Sequence, residues 1–74
     1  MQNMKKVGIM YMATVVNDNG DRTTTVHSSY DKATEYLKNE YSLEDDDIKE
    51  IEDNGSFEED SGFMFFVEEV EYFG

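Results

Sequence analysis

Apolar and polar positions alternate from near the start of the chain. Over residues 4–16, Val7, Ile9, Tyr11, Ala13 and Val15 share one parity, and Gly8, Met10, Met12, Thr14 and Val16 share the other. A period of two marks an extended strand. Both parities are largely apolar, so this strand is expected inside a sheet, with part of its second face covered. The alternation stops at Asn17-Asp18-Asn19-Gly20-Asp21. Asn-Gly suits the positive φ of a two-residue hairpin turn. With Asn19 and Gly20 as the central pair, Ala13 would face Val26, Val15 would face Thr24 and Met12 would face His27. The second strand, residues 22–27, is rich in Thr, as a half-exposed strand should be.

The period lengthens after Ser28-Ser29. Tyr30, Ala33, Leu37 and Tyr41 recur at helical spacing and form the expected buried stripe. Ser28 is the expected N-cap, with Asp31 near the positive end of the helix dipole. Tyr36 lies off the stripe and is expected to be partly exposed. A second helix is expected over residues 43–54, capped by Ser42, with Leu43, Ile48 and Ile51 inward and Asn54-Gly55 as a left-handed close. Residues 56–59 read as a short strand and Asp60-Ser61-Gly62 as a turn. Residues 63–73, FMFFVEEVEYF, are the most hydrophobic stretch, and both parities are apolar in its first half. A bulge near Glu68-Glu69 is expected to swap the buried parity. The order β-β-α-α-(β)-β predicts an α+β fold: a small antiparallel sheet of three or four strands with two helices on one face, the last strand beside the first. Residues 1–74 are expected to form a single domain.

Composition narrows the class. An aromatic fraction of 14% and a hydrophobic fraction of 38% argue for a packed core despite a net charge of −12. There is no Cys, which excludes disulfides and thiolate metal sites and favours a cytoplasmic setting, that of a bacterial host if the chain is phage-encoded. No apolar run approaches the roughly 20 residues of a membrane span, so no membrane partner is expected. Lys5-Lys6 followed by an apolar run has the outline of a signal peptide. That run alternates, continues into a turn and lacks a small-residue cleavage site, so the chain is expected to be the mature domain.

Candidate chemistry is sparse. An EF-hand loop needs ligands at positions 1, 3 and 5, Gly at 6 and Glu at 12. Setting Gly20 at position 6 puts Val15 first and Val26 last; setting Gly55 there puts Ser61 last. Both fail, so turn and helix cap are the readings, and no metal or cofactor is expected. His27 is the sole His and lies in a Thr-rich strand. A nucleophile needs a base oriented by a third group in a cleft, which so short a chain rarely builds. Carboxylates are too abundant here to mark an acid–base pair, and a non-enzymatic role is expected. Direct nucleic-acid binding is disfavoured, because it depends on Lys and Arg neutralising phosphates and six basic residues face eighteen acidic ones.

The charge is unevenly placed. Residues 1–39 hold five basic and four acidic residues, whereas residues 40–74 hold one basic, Lys49, and fourteen acidic. A helix over residues 43–54 would be about 18 Å long, with one carboxylate per roughly 2.6 Å. Duplex DNA carries one charge per roughly 1.7 Å of axis. Such a surface suits a basic groove on another protein and steers association. Glu44, Asp45, Asp46, Asp47, Glu50, Asp53, Glu58, Glu59 and Asp60 are the expected binding residues, with Tyr36 or Tyr41 as an aromatic anchor.

In type the chain resembles phage-encoded inhibitors of host defence and DNA-processing enzymes, which are likewise small, acidic and Cys-free. The resemblance implies an inhibitor or modulator of a basic nucleic-acid-binding protein such as a nuclease, with DNA mimicry as one form of it. Two other readings fit the pattern. The acidic face alone can serve solubility. Alternatively the chain is a structural module that self-associates, as a homodimer for instance, through an apolar sheet face or edge strand lined by Met10, Met12 and Phe residues.

Overall fold

The computed structural model describes residues 5–73. Strand β1 (Lys6–Val16) and strand β2 (Arg22–His27) form a hairpin, followed by helices α1 (Tyr30–Tyr41) and α2 (Asp45–Asn54). Strands β3 (Phe57–Glu58) and β4 (Met64–Phe73) form a second hairpin. The four strands make one antiparallel sheet in the order β2-β1-β4-β3. The predicted α+β architecture is therefore the observed one, with the first and last strands paired at its centre.

Both hairpin turns are built the same way. Gly20 N–H donates to the Asn17 carbonyl, and Asn17 N–H donates to the Asp21 carbonyl, each at 2.9 Å. The Asn17 side-chain oxygen accepts from the N–H groups of Asn19 and Asp21. In the second turn Gly62 N–H donates to the Glu59 carbonyl, and Glu59 N–H donates to the Phe63 carbonyl. Gly20 and Gly62 take positive φ of 87° and 98°. Each is a three-residue loop ending in a left-handed glycine. The turns touch: a Cβ at Gly62 would lie 3.2 Å from Asp18 Cβ.

This turn corrects the expected register. A two-residue type I′ turn needs positive φ at Asn19 as well, and Ser42 is the one non-glycine residue with positive φ among the described residues. Asn17 therefore closes on Asp21, and every pair moves by one: Ala13 faces Thr25, Val15 faces Thr23 and Met12 faces Val26. A one-residue shift exchanges the faces of a strand. Thr23, Thr25 and His27 join Ala13 and Val15 on the helix side, and Val26 turns outward.

The expected bulge at Glu68-Glu69 is also absent. Pairing of β1 with β4 runs unbroken from Gly8–Tyr72 to Val16–Met64, and the irregularity lies between Lys6 and Gly8 instead. Phe65 and Val67 face the helices, while Met64 and Phe66 lie on the outer face. The two glutamates need no kink, since they sit past the region the helices cover. The caps differ from expectation too. Ser29, not Ser28, caps α1, its hydroxyl accepting from Lys32 N–H. Ser42 closes α1 in the left-handed region rather than opening α2. The N-cap of α2 is Glu44, whose N–H donates to the Asp47 carboxylate at 2.9 Å. Gly55 closes α2 as expected, its N–H donating to the Ile51 carbonyl. The predicted position Met4 of β1 lies outside the described residues.

The core lies between the helices and the turn end of the sheet. It comprises Ala13, Val15, Ala33, Leu37, Leu43, Ile48, Ile51 and Phe65. Phe65 is fully enclosed, with the rings of Tyr41, Phe57 and Phe63 between 5.3 and 6.3 Å from its centroid. Of the expected stripe on α1, Ala33 and Leu37 are buried, joined by Thr34, whose hydroxyl donates to the Asp31 carbonyl. Tyr30 and Tyr41 are half-buried at the ends. Phe65→Ala should lower stability by about 3–5 kcal/mol. Urea unfolding followed by circular dichroism checks this, and a loss below 1 kcal/mol, on that same scale, would mean Phe65 is not the centre of the core.

Candidate interaction surface

Helix α2 lies against β3 and β4 at one edge of the sheet. Its two apolar residues, Ile48 and Ile51, are buried, which fixes its rotation. That rotation turns Asp46, Glu50 and Asp53 outward, and all three are exposed. Their spacing of four and three aligns them along one helical stripe. Glu44, Asp45 and Glu52 are exposed beside them, and Asp47 is half-buried at the cap. The following turn adds Glu58 and Asp60, both exposed, and Glu59, half-buried with its carboxylate accepting from the Ser61 hydroxyl. The structure thus groups the nine acidic residues expected from the sequence along α2 and the adjoining β3–β4 turn.

The chain's own lysines meet part of this charge. Lys38 of α1 donates to the Asp45 carboxylate, and Lys49 pairs with Asp53 at 3.3 Å, one helical turn apart. The hydrogen bond and charge of Lys38 hold the Asp45 carboxyl below the usual carboxylate range. Seven carboxylates on Glu44 and α2 against these two lysines leave the surface strongly anionic. Three further carboxylates, Glu68, Glu69 and Glu71, lie apart from it on β4.

Tyr36 is placed elsewhere. It is half-buried, and its ring packs 5.1 Å from the ring of His27, on β2 at the opposite edge of the sheet from β3. His27 Nε2 lies 2.7 Å from the Thr25 hydroxyl, so this imidazole is held within the β2 surface. No group of three or more His, Asp or Glu side chains is arranged to hold a metal ion among the described residues. Among those residues no helix is long and apolar enough to cross a membrane.

No protein-family model, curated protein or solved structure matches this chain. The surface is therefore read from its own chemistry.

Two contributors escaped the sequence reading. Asp18 and Asp21 lie in the first hairpin turn, and the contact of Asp18 with Gly62 brings them to the acidic second turn. The repeated turn pattern, a polar run ending in Gly before each strand partner, was the available signal. Burial, then the charges of Glu52 and Asp31, push the Tyr30 hydroxyl above the usual phenol range, which sets the α2 carboxylate Glu52 near the start of α1.

The Lys38–Asp45 pair has a defined pH signature. A carboxyl whose folded-state pKa is depressed contributes stability above its unfolded value, and that contribution is lost as pH falls through the folded one. Lys38→Met should raise the Asp45 pKa toward the ordinary aspartate value and shift the acid edge of stability upward. Side-chain carboxyl NMR through an acid titration reads it, and an unchanged Asp45 midpoint would show the pair is not formed in solution.

Proposed function

We propose that this chain is a small, non-catalytic interaction protein that binds a basic, nucleic-acid-binding surface of another protein and so inhibits or modulates it. The observation that carries this reading is the outward stripe of Asp46, Glu50 and Asp53 on a helix whose buried residues are Ile48 and Ile51. Alignment of like charges on one helical face costs stability through self-repulsion. A surface that served packing alone would gain nothing from it. The partner class is a basic protein of a bacterial cytoplasm, such as a nuclease. The anionic helix and the β3–β4 turn would occupy the groove that otherwise holds phosphates, in the manner of a DNA mimic.

The chemistry of recognition follows from this. Charge spaced along a rigid helix attracts Lys and Arg at long range, so association should be fast and strongly weakened by salt. Partly paired residues such as Asp45 and Asp53 can exchange their own lysines for the partner's.

The test is the combined reversal Asp46→Lys, Glu50→Lys and Asp53→Lys, measured against a partner captured from a host extract at low salt. Exposed charge pairs are worth roughly 0.2–1 kcal/mol each, and reversal replaces attraction with repulsion. Affinity should therefore fall by about tenfold or more, mostly through the association rate. The slope of affinity against salt should become shallower. Unchanged binding by the reversed variant would sink this reading.

A further inference from the structure

Strand β1 outruns its neighbour β2. Pairing between them covers only Tyr11 to Val16, whereas β4 follows β1 to the Lys6–Phe73 pair. Among the described pairings, residues 7–10 of β1 thus have an open edge on the β2 side. This part of the ribbon also carries the large apolar side chains that the core leaves out. Val7 is 55% exposed, Ile9 38%, Tyr72 40% and Phe73 47%, and Val26, turned outward by the register, is 56%. Ile9, Met10, Val26 and Tyr72 line a surface groove with His27 and Ser28, at the end of β2. An added strand that continued the line of β2 would run through that groove.

Two strands alone are marginally stable in water. An apolar ribbon with an open edge is a template for a further strand, and clustered exposed apolar side chains mark interaction sites.

The charge along the ribbon identifies the occupant. Lys5 lies exposed at its tip, while Glu71 opposite Ile9, Glu69 opposite Tyr11 and Glu68 opposite Met12 follow toward its base. A basic-to-acidic gradient is matched by an antiparallel copy of itself, which sets each tip beside the other copy's base. A two-fold arrangement satisfies both halves at once. The molecule is 50 Å long, and both acidic turns lie at the end away from the tip. Two copies joined by their ribbons keep those turns apart, which limits repulsion between chains of net charge −12. Gly8 sits mid-edge, with the Tyr72 ring drawn across it so closely that a Cβ would meet Cε1 at 2.9 Å. The ring takes the place of a Gly8 side chain and lays an apolar surface over the centre of the ribbon.

We propose that the open edge of β1 over residues 7–10, flanked by Tyr72 and Phe73, is the contact between two copies of this chain, paired antiparallel about Gly8. Val7 of each copy then lies beside Ile9 of the other. The contact does not involve the α2 face, so the two readings stand or fall separately.

Sedimentation equilibrium of the intact chain across a concentration series, at low and high salt, tests the proposal together with backbone hydrogen exchange. A monomer–dimer equilibrium is expected. It should persist at high salt, because apolar side chains and main-chain pairing carry the contact while charge terms of both signs are screened. Amides within residues 7–10 should gain protection as the dimer forms. Ile9→Lys places an ammonium against apolar surface twice per dimer and should weaken association at least about tenfold, with the circular dichroism unchanged. Val7→Lys, at a more exposed position, gives the same reading if Ile9→Lys disturbs the fold. The combined reversal on α2 should leave the dimer intact. A chain that stays monomeric at millimolar concentration overturns the proposal. So does a dimer whose 7–10 amides exchange as in the monomer, or one that both lysine variants leave unaffected.

Discussion

Pairing of β1 with β4 joins nearly the two ends of the described chain, and both hairpins and both helices are hung on it. Val15 faces Phe65 and Ala13 faces Val67 on the helix side, while Thr14 faces Phe66 on the outer side. Closing so long a loop is less costly than its length suggests, because each doubling adds only about 0.6 kcal/mol. Burial of Phe65, Leu37 and the surrounding rings offsets that cost at one end of the ribbon. At the other end Val7, Ile9, Tyr72 and Phe73 stay exposed among the described residues.

The same pairing sorts the charge. Since β1 and β4 are antiparallel, the turns that leave Val16 and enter Met64 come to one end, carrying Asp18, Asp21, Glu59 and Asp60 with them. Helix α2 adds its carboxylates along the β3 edge. Burial of Ile48, Ile51 and the preceding Leu43 holds that helix and its approach against the repulsion. The Asp47 cap and the pairs with Lys38 and Lys49 ease it locally. The molecule thus has an anionic flank and end, and an apolar tip.

Local periodicity made the elements legible in the sequence, and tertiary geometry decided what it left open. The period of two in β1 and the spacing of Ala33 and Leu37 depend on neighbours a few residues away, so they read directly. The register of the first hairpin turned on one dihedral angle at Asn19, which an Asn-Gly pair does not specify. The buried face of β4 was ambiguous because β4 is central: helices cover one face and neighbouring side chains half-cover the other, so both parities are apolar. Adjacent serines hid which of them capped α1. The outward stripe of α2 followed from Ile48 and Ile51 alone. The Lys49–Asp53 pair was implicit in helical spacing, whereas Lys38–Asp45 required knowing how α1 and α2 meet. Apolar residues at both parities in β1 were visible from the start. That β2 stops too soon to cover them was not.

Lys6 opposite Phe73 brings the beginning and end of the ribbon within one strand spacing of each other. A short designed linker there would turn the most distant pairing in the chain into a local hairpin. New ends could then be opened in the exposed connection around Ser42 and Glu44. Such a circular permutant keeps every contact of the sheet but lowers the average sequence separation between them. Its folding should be faster for that reason alone. In the wild-type order of strands, the meeting of the first and last strands is the pairing that closes the longest loop.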